Sequence, residues 1–203
     1  MSLQPSTRWW WLRHAPVPDP EARITGRLDL PCDTSDSEWF SLFARRLPRN
    51  AVLVESGLMR CGQTIGALEA AGLPLPPALI EPGLLEQDFG RWQGRTWNDL
   101  AAIQDPALPG FWQNPATATP PGGESFAAML ERVGETVLRL TAEYAGRDII
   151  AVAHAGTIRA ALAIALDVPP EAALGFVVDP LSLTRVDALP GGWRVVGVNW
   201  LPL

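Results

Sequence analysis

Two kinds of apolar pattern alternate along the chain. Short unbroken apolar runs occupy residues 9–12, 51–54, 79–80 and 149–153, and each is followed at once by a charged residue or a histidine. Their length and content read as buried strands. Between them apolar residues recur every three or four positions, the period of an amphipathic helix. That spacing predicts a helix from Ser35 or Ser37 to about Leu47, with Trp39, Phe40, Phe43 and Leu47 on one stripe. Others are expected from near Leu58 to Gly72, over 96–103 and over 157–166. The longest runs from Glu124-Ser125 to about Tyr144, with Phe126, Met129, Leu130, Val133, Val137, Leu138 and Leu140 inward. Residues 176–178, 182–186 and 193–198 read as the strands that finish the sheet, the last two as a hairpin across 188–192. Strands and helices in this alternation predict an α/β fold with a mostly parallel sheet and an antiparallel edge.

Two Pro-rich stretches interrupt the pattern. Residues 16–34 read as a loop over the end of the first strand, and 105–123 as a lid or insertion over the crevice. With 203 residues and 47% hydrophobic content, 1–203 is expected to be a single domain. A chain of that size buries roughly 70% of its unfolded surface. The formal charge of −6 leaves no basic field to draw in nucleic acid or an anionic membrane, so an anionic ligand needs a local cluster. All 16 basic residues are arginine, which excludes Schiff-base lysine chemistry and the Gly-Lys-Ser/Thr phosphate loop. Cys32 and Cys61 are too few for a disulfide framework, and the positions six residues on are Glu38 and Ala67, not the arginine of a cysteine phosphatase loop. Neither cysteine has zinc-ligand spacing to a histidine, so no metal site is expected. With no apolar run long enough for a signal peptide or a membrane span, the expected location is cytoplasmic.

The chain has two histidines. His14 ends the first apolar run directly after Arg13, and His154 ends the run 149–153 just before Ala155-Gly156 opens a helix. In a parallel sheet both would stand at the carboxyl edge, where ligands bind. A lone histidine in such a place is usually a satisfied core residue. Two in the same context, with an arginine beside one and free helix N–H groups beside the other, point to an anion. Arg60, in the first turn of the second helix, adds a third basic group on that side, and phosphate fits the set.

Five segments then stand in order: Leu12-Arg13-His14, Ser56 to Thr64 (SGLMRCGQT), Glu86 to Gly94 (EQDFGRWQG), Pro121-Gly122-Gly123-Glu124-Ser125, and His154 to Arg159 (HAGTIR). Together they resemble the histidine phosphatase superfamily, the phosphoglycerate mutase-like fold. The resemblance implies a three-layer αβα sandwich, a nucleophilic His14, a phosphate clamp of Arg13, Arg60 and His154, and a general acid at Glu86, with Asp88 a weaker rival. It implies a phosphohistidine intermediate with no cofactor. The family pattern usually continues Gly-Glu-Thr after the first histidine, with an asparagine a few positions on; here Ala15, Pro16, Val17 and Pro20 stand there. The second histidine is usually followed by two glycines, and here the first is Ala155.

The Glu86 and Pro121 segments are most similar to α-ribazole phosphatase and related small bacterial phosphatases. Mutases of the family carry adjacent arginines after a lid tryptophan, whereas Trp112 is followed by Gln113-Asn114. The expected function is therefore hydrolysis of a small phosphorylated metabolite, with α-ribazole 5′-phosphate a candidate. A phosphoglycerate mutase-type phosphomutase is the alternative, and a catalytically weak binding or regulatory protein on the same fold is another. Oligomeric state is left open.

Overall fold

The computed structural model describes residues 6–201. β1 (Thr7–Arg13) is followed by α1 (Ser37–Arg46), β2 (Val52–Glu55), α2 (Met59–Ala70) and β3 (Leu79–Ile80). After two 3-10 turns come α3 (Trp97–Ala102), α4 (Leu108–Gln113) and α5 (Phe126–Glu143). The chain ends with β4 (Asp148–Ala153), α6 (Ala155–Leu166), α7 (Pro170–Ala173), β5 (Leu183–Leu189) and β6 (Gly192–Trp200). The sheet order is β3-β2-β4-β1-β5-β6. β3, β2, β4 and β1 are parallel, β5 runs antiparallel to β1, and β6 pairs antiparallel with β5.

The two-residue side-chain period divides the core between the faces of the sheet. Trp9, Trp11, Val54, Ile149 and Ala151 pack with Phe126, Met129, Val133 and Ile158 of α5 and α6. Leu12, Leu53, Ile150 and Val152 pack with Phe40, Phe43, Ile65 and Leu68 of α1 and α2. Helices thus cover both faces, giving the expected three layers. A third cluster joins Ile24, Trp92, Leu100, Leu108 and Phe111, with Phe89 and Trp97 packed against it. No helix among the described residues is long and apolar enough to cross a membrane.

Side-chain caps start three of the helices. Asp36 caps α1 in place of the expected Ser35 or Ser37, Thr96 closes a capping box with Asp99 on α3, and Ser125 accepts from the Ala128 N–H on α5. The hairpin turns tightly between Leu189 and Gly192.

Four further expectations need correction. Residues 176–178 form no strand: their carbonyls are taken by arginine side chains, Phe176 O by Arg159 Nε (2.8 Å) and Val178 O by Arg13 Nη1 (2.6 Å). Leu138 is exposed, because it lies about 100° round α5 from the buried Val137. Residues 108–113 are helical, with Pro109 in the first turn, where its missing N–H costs nothing. α6 begins at Ala155, two residues before the expected start, with His154 as its N-cap residue.

Candidate active site

β1 and β4 are neighbours in register, Arg13 opposite Ala153, so the two residues that follow them emerge side by side. The His14 N–H extends the ladder to Ala153 O (2.9 Å), and the two imidazole centroids are 5.1 Å apart. His14 Nδ1 lies 2.7 Å from the carbonyl of Ala15. A carbonyl can only accept, so Nδ1 carries the proton and Nε2 keeps its lone pair. Burial, then the charge of Arg60, hold the His14 pKa down to about 3, with Arg13 adding in the same direction against the Ala15 hydrogen bond. The ring is a neutral base at physiological pH. The Ala15 N–H donates to the Thr64 hydroxyl (2.9 Å), which fixes the backbone beside the histidine.

His154 is fully buried. Its Nδ1 accepts from Arg60 Nε (3.3 Å), which leaves the proton on Nε2, 2.8 Å from the Ser56 hydroxyl. Burial is the main influence that lowers its pKa, followed by Arg60 and His14. Both ring nitrogens are thus engaged with protein groups, and His154 stands behind His14 as a support for Arg60. Cys61 Sγ lies 3.7 Å from the same Nε2, and burial pushes its thiol up to about 12, so it is no thiolate.

Arg60 is buried at the N-terminal turn of α2. Besides His154 it donates to Leu28 O and Gly26 O, each at 2.7 Å. A guanidinium has five N–H donors, so one on each terminal nitrogen remains for an anion. Arg13 spends one donor on Val178 O, while its Nε is buried without a partner.

Glu86 reaches the site from the loop before α3. Its carboxylate accepts from the Gly156 N–H in the first turn of α6 (3.2 Å) and from the Gln87 N–H (2.9 Å). A Cβ on Gly156 would collide with Glu86 Oε1, so a larger residue there would push the Glu86 carboxylate aside. The Glu86 carbonyl is gripped by Arg27 Nε and Arg132 Nη2, each at 3.1 Å. Glu124 Oε1 joins those two arginines at 2.8 and 2.6 Å and also accepts from the Asp88 N–H. Burial of Glu124 opposes its ionisation, but Arg132, the Asp88 N–H and Arg27 together outweigh it and the pKa is lowered. Asp88 caps the Gly90 N–H and does not line the cavity.

His14, Arg13, Arg60 and Glu86 line one cavity of about 390 Å³. Its remaining walls come from Pro16, Val17, Asp19, Arg23, Phe89 and Trp97, among others. Sequence reasoning singled out none of Asp19, Arg23 or Trp97, because their nearness to the histidines is a product of loop folding alone. Glu124 and Ser56 were signalled only as members of motifs. No residue of 105–123 lines the cavity; Phe111 supports it from behind by stacking on Trp97 (5.6 Å, 22°). Among the described residues, no group of three or more His, Cys, Asp or Glu is placed to hold a metal ion.

The family model of the histidine phosphatase superfamily, branch 1, matches residues 9–201. A glucosyl-3-phosphoglycerate phosphatase of Mycolicibacterium vanbaalenii is 31% identical over 88% of this chain and 84% of its own length. An adenosylcobalamin/α-ribazole phosphatase of Escherichia coli is 30% identical over 72% of this chain and 69% of its own. A bifunctional protein of Mycobacterium tuberculosis is 38% identical over 58% of this chain, which spans only 31% of that protein's length. Among solved structures, a putative α-ribazole-5′-P phosphatase of E. coli superposes with a TM-score of 0.84 at 24% identity, covering 96% of each chain, and so shares the fold. Matched by the family model over almost its whole length, and with the same fold around a pair of strand-end histidines, the chain belongs to branch 1 of the histidine phosphatase superfamily.

Proposed function

We propose that the protein hydrolyses a phosphate monoester through a phosphohistidine formed on His14. The observation that carries this reading is the state of that ring: neutral, with Nδ1 tied to Ala15 O and the Nε2 lone pair unspent, in a cavity shared with the buried Arg60 and the half-buried Arg13. His14 Nε2 attacks phosphorus in line, and the ester P–O bond breaks as the N–P bond forms. Arg13 and Arg60 neutralise the charge that spreads over the equatorial oxygens. Glu86 gives a proton to the departing alkoxide. It then takes one from the water that cleaves the N–P bond and releases inorganic phosphate. His154 acts by holding Arg60 and, through it, the geometry of the clamp.

The substrate is a small phosphorylated metabolite. α-Ribazole 5′-phosphate is the first ester to test, on the strength of the relatives' activities and of the Glu86 and Pro121 segments. Hydrolysis is favoured over mutase activity because Gln113 and Asn114 stand outside the cavity, so they put no cation against a second anionic end. The test offers 3-phosphoglycerate with catalytic 2,3-bisphosphoglycerate, alongside a panel of phosphate esters, and follows 2-phosphoglycerate and free phosphate. Release of phosphate from the panel with no isomerisation is expected. Rapid isomerisation with little phosphate released would sink the hydrolase reading.

A further inference from the structure

We propose that the part of the cavity next to the phosphate clamp is a subsite for an uncharged, flat ring carried by the alcohol half of the ester, selected by Trp97 and Phe89. This rests on the phosphatase reading above. The first observation is composition of the wall. Phe89 and Trp97 line the same cavity as His14 and Glu86, together with Ile24, Pro16 and Val17. Pro16 and Val17 occupy positions where the family pattern has Glu and Thr, so apolar surface replaces hydrogen-bonding side chains beside the nucleophile. The volume is within the ~300–1,000 Å³ of small-molecule sites, so there is room beyond the phosphoryl group.

The wall is also rigid. Trp97 stacks on Phe111 and meets Phe89 edge-on (6.3 Å, 81°), Trp92 edge-on (5.9 Å, 75°) and Trp112 at a tilt (4.8 Å). These rings come from the turn before α3, from α3 and from α4, so the segment 105–123 serves as the buttress of the subsite. A ring held in this way presents its surface without an ordering cost on binding.

Charge then decides which alcohols fit. Apart from Arg13 and Arg60, the cation lining the cavity is Arg23, and it is paired with Glu21 (2.7 Å) and Asp19 (3.4 Å), Asp19 itself lining the cavity. The two charges that line this rim, Arg23 and Asp19, cancel, and Glu21 adds a second partner for Arg23 from outside the lining. Arg91 and Arg95 do not line it. A carboxylate or second phosphate on the alcohol meets no unpaired cation there, whereas a neutral ring stacks on Trp97 or Phe89 with no charge to satisfy.

The test compares esters with the same primary alkoxide, so that proton donation by Glu86 is constant. Ribose 5-phosphate is set against nucleoside 5′-monophosphates, with phosphoserine as the charged comparison. Stacking on one aromatic side chain predicts kcat/KM about tenfold or more higher for the nucleoside esters than for ribose 5-phosphate, with phosphoserine lowest. Trp97→Leu, which keeps apolar bulk in the cluster, and Phe89→Leu should each shrink the nucleoside-to-ribose ratio several-fold. Equal rates in the wild type, a preference for phosphoserine, or a ratio unmoved by both variants would overturn the subsite. Should no ester be turned over, the hydrolase reading falls, and calorimetric titration of the wild type with the same two esters still tests the subsite: tighter binding of the nucleoside ester supports it and equal binding refutes it.

Discussion

His14 keeps its attacking nitrogen free because the fold makes protonation expensive, and that has a consequence for stability. The folded ring takes up a proton near pH 3, against about 6.5 for an unperturbed histidine. Between those values the unfolded chain binds more protons, so stability rises with pH across the window and is lost on acidification. His154 shifts in the same direction. The melting temperature should therefore fall steadily from pH 7 to pH 4, and His14→Asn should flatten the fall; a wild-type profile flat over that range would contradict the assignment. For Glu86 the expectation concerns leaving groups. Glu86→Gln should slow alkyl esters by about 10²- to 10⁴-fold and aryl esters such as p-nitrophenyl phosphate far less, since a nitrophenolate scarcely needs a proton. Equal losses on both would take the role from Glu86. His14, Arg13 and Arg60 were legible as residues because each ends or opens a strand or helix that the apolar pattern reveals, whereas Glu86, in a loop, was legible only through the segment that resembles the family. Asp19, Arg23 and Trp97 were not, since only the path of the loops brings them to the histidines.

At the level of elements, the strands that carry chemistry are unbroken apolar runs, and the ends of those runs mark both histidines. The failures have separate physical sources. Residues 176–178 have the composition of a strand, but Arg159 and Arg13 from remote elements capture their carbonyls. α4 is hidden by Pro109 and Gly110. The first turn of α6 is the element most directly tied to the acid, because Gly156 leaves room for Glu86. Gly156→Ala should displace the Glu86 carboxylate at little cost in stability, because the atoms that must move are the ends of the Glu86 and Met129 side chains, and should cost more activity on alkyl than on aryl esters. Equal kinetics in this variant and the wild type would show that the close approach has no bearing on turnover. Glu124→Gln removes the charge that joins Arg27 and Arg132. It should lower urea-denaturation stability by about 1–3 kcal/mol and reproduce part of the Glu86→Gln pattern.

Across the whole molecule, the sheet order β3-β2-β4-β1-β5-β6 puts the histidine-bearing strands at the centre, and loops from both sides close a single cavity over them. Arg13 and Arg60 supply the positive charge that phosphoryl transfer demands, so turnover should survive EDTA; loss on chelation restored by one divalent ion would show that the charge comes from elsewhere. The central claim is that phosphate passes through His14. Rapid quench of the enzyme with ³²P-labelled substrate is the direct measurement. An acid-labile, base-stable label that forms and decays within a turnover, mapped to His14 and absent from inactive His14→Ala, is the predicted result. A turnover with no label on the protein, or His14→Ala retaining full activity, would contradict it.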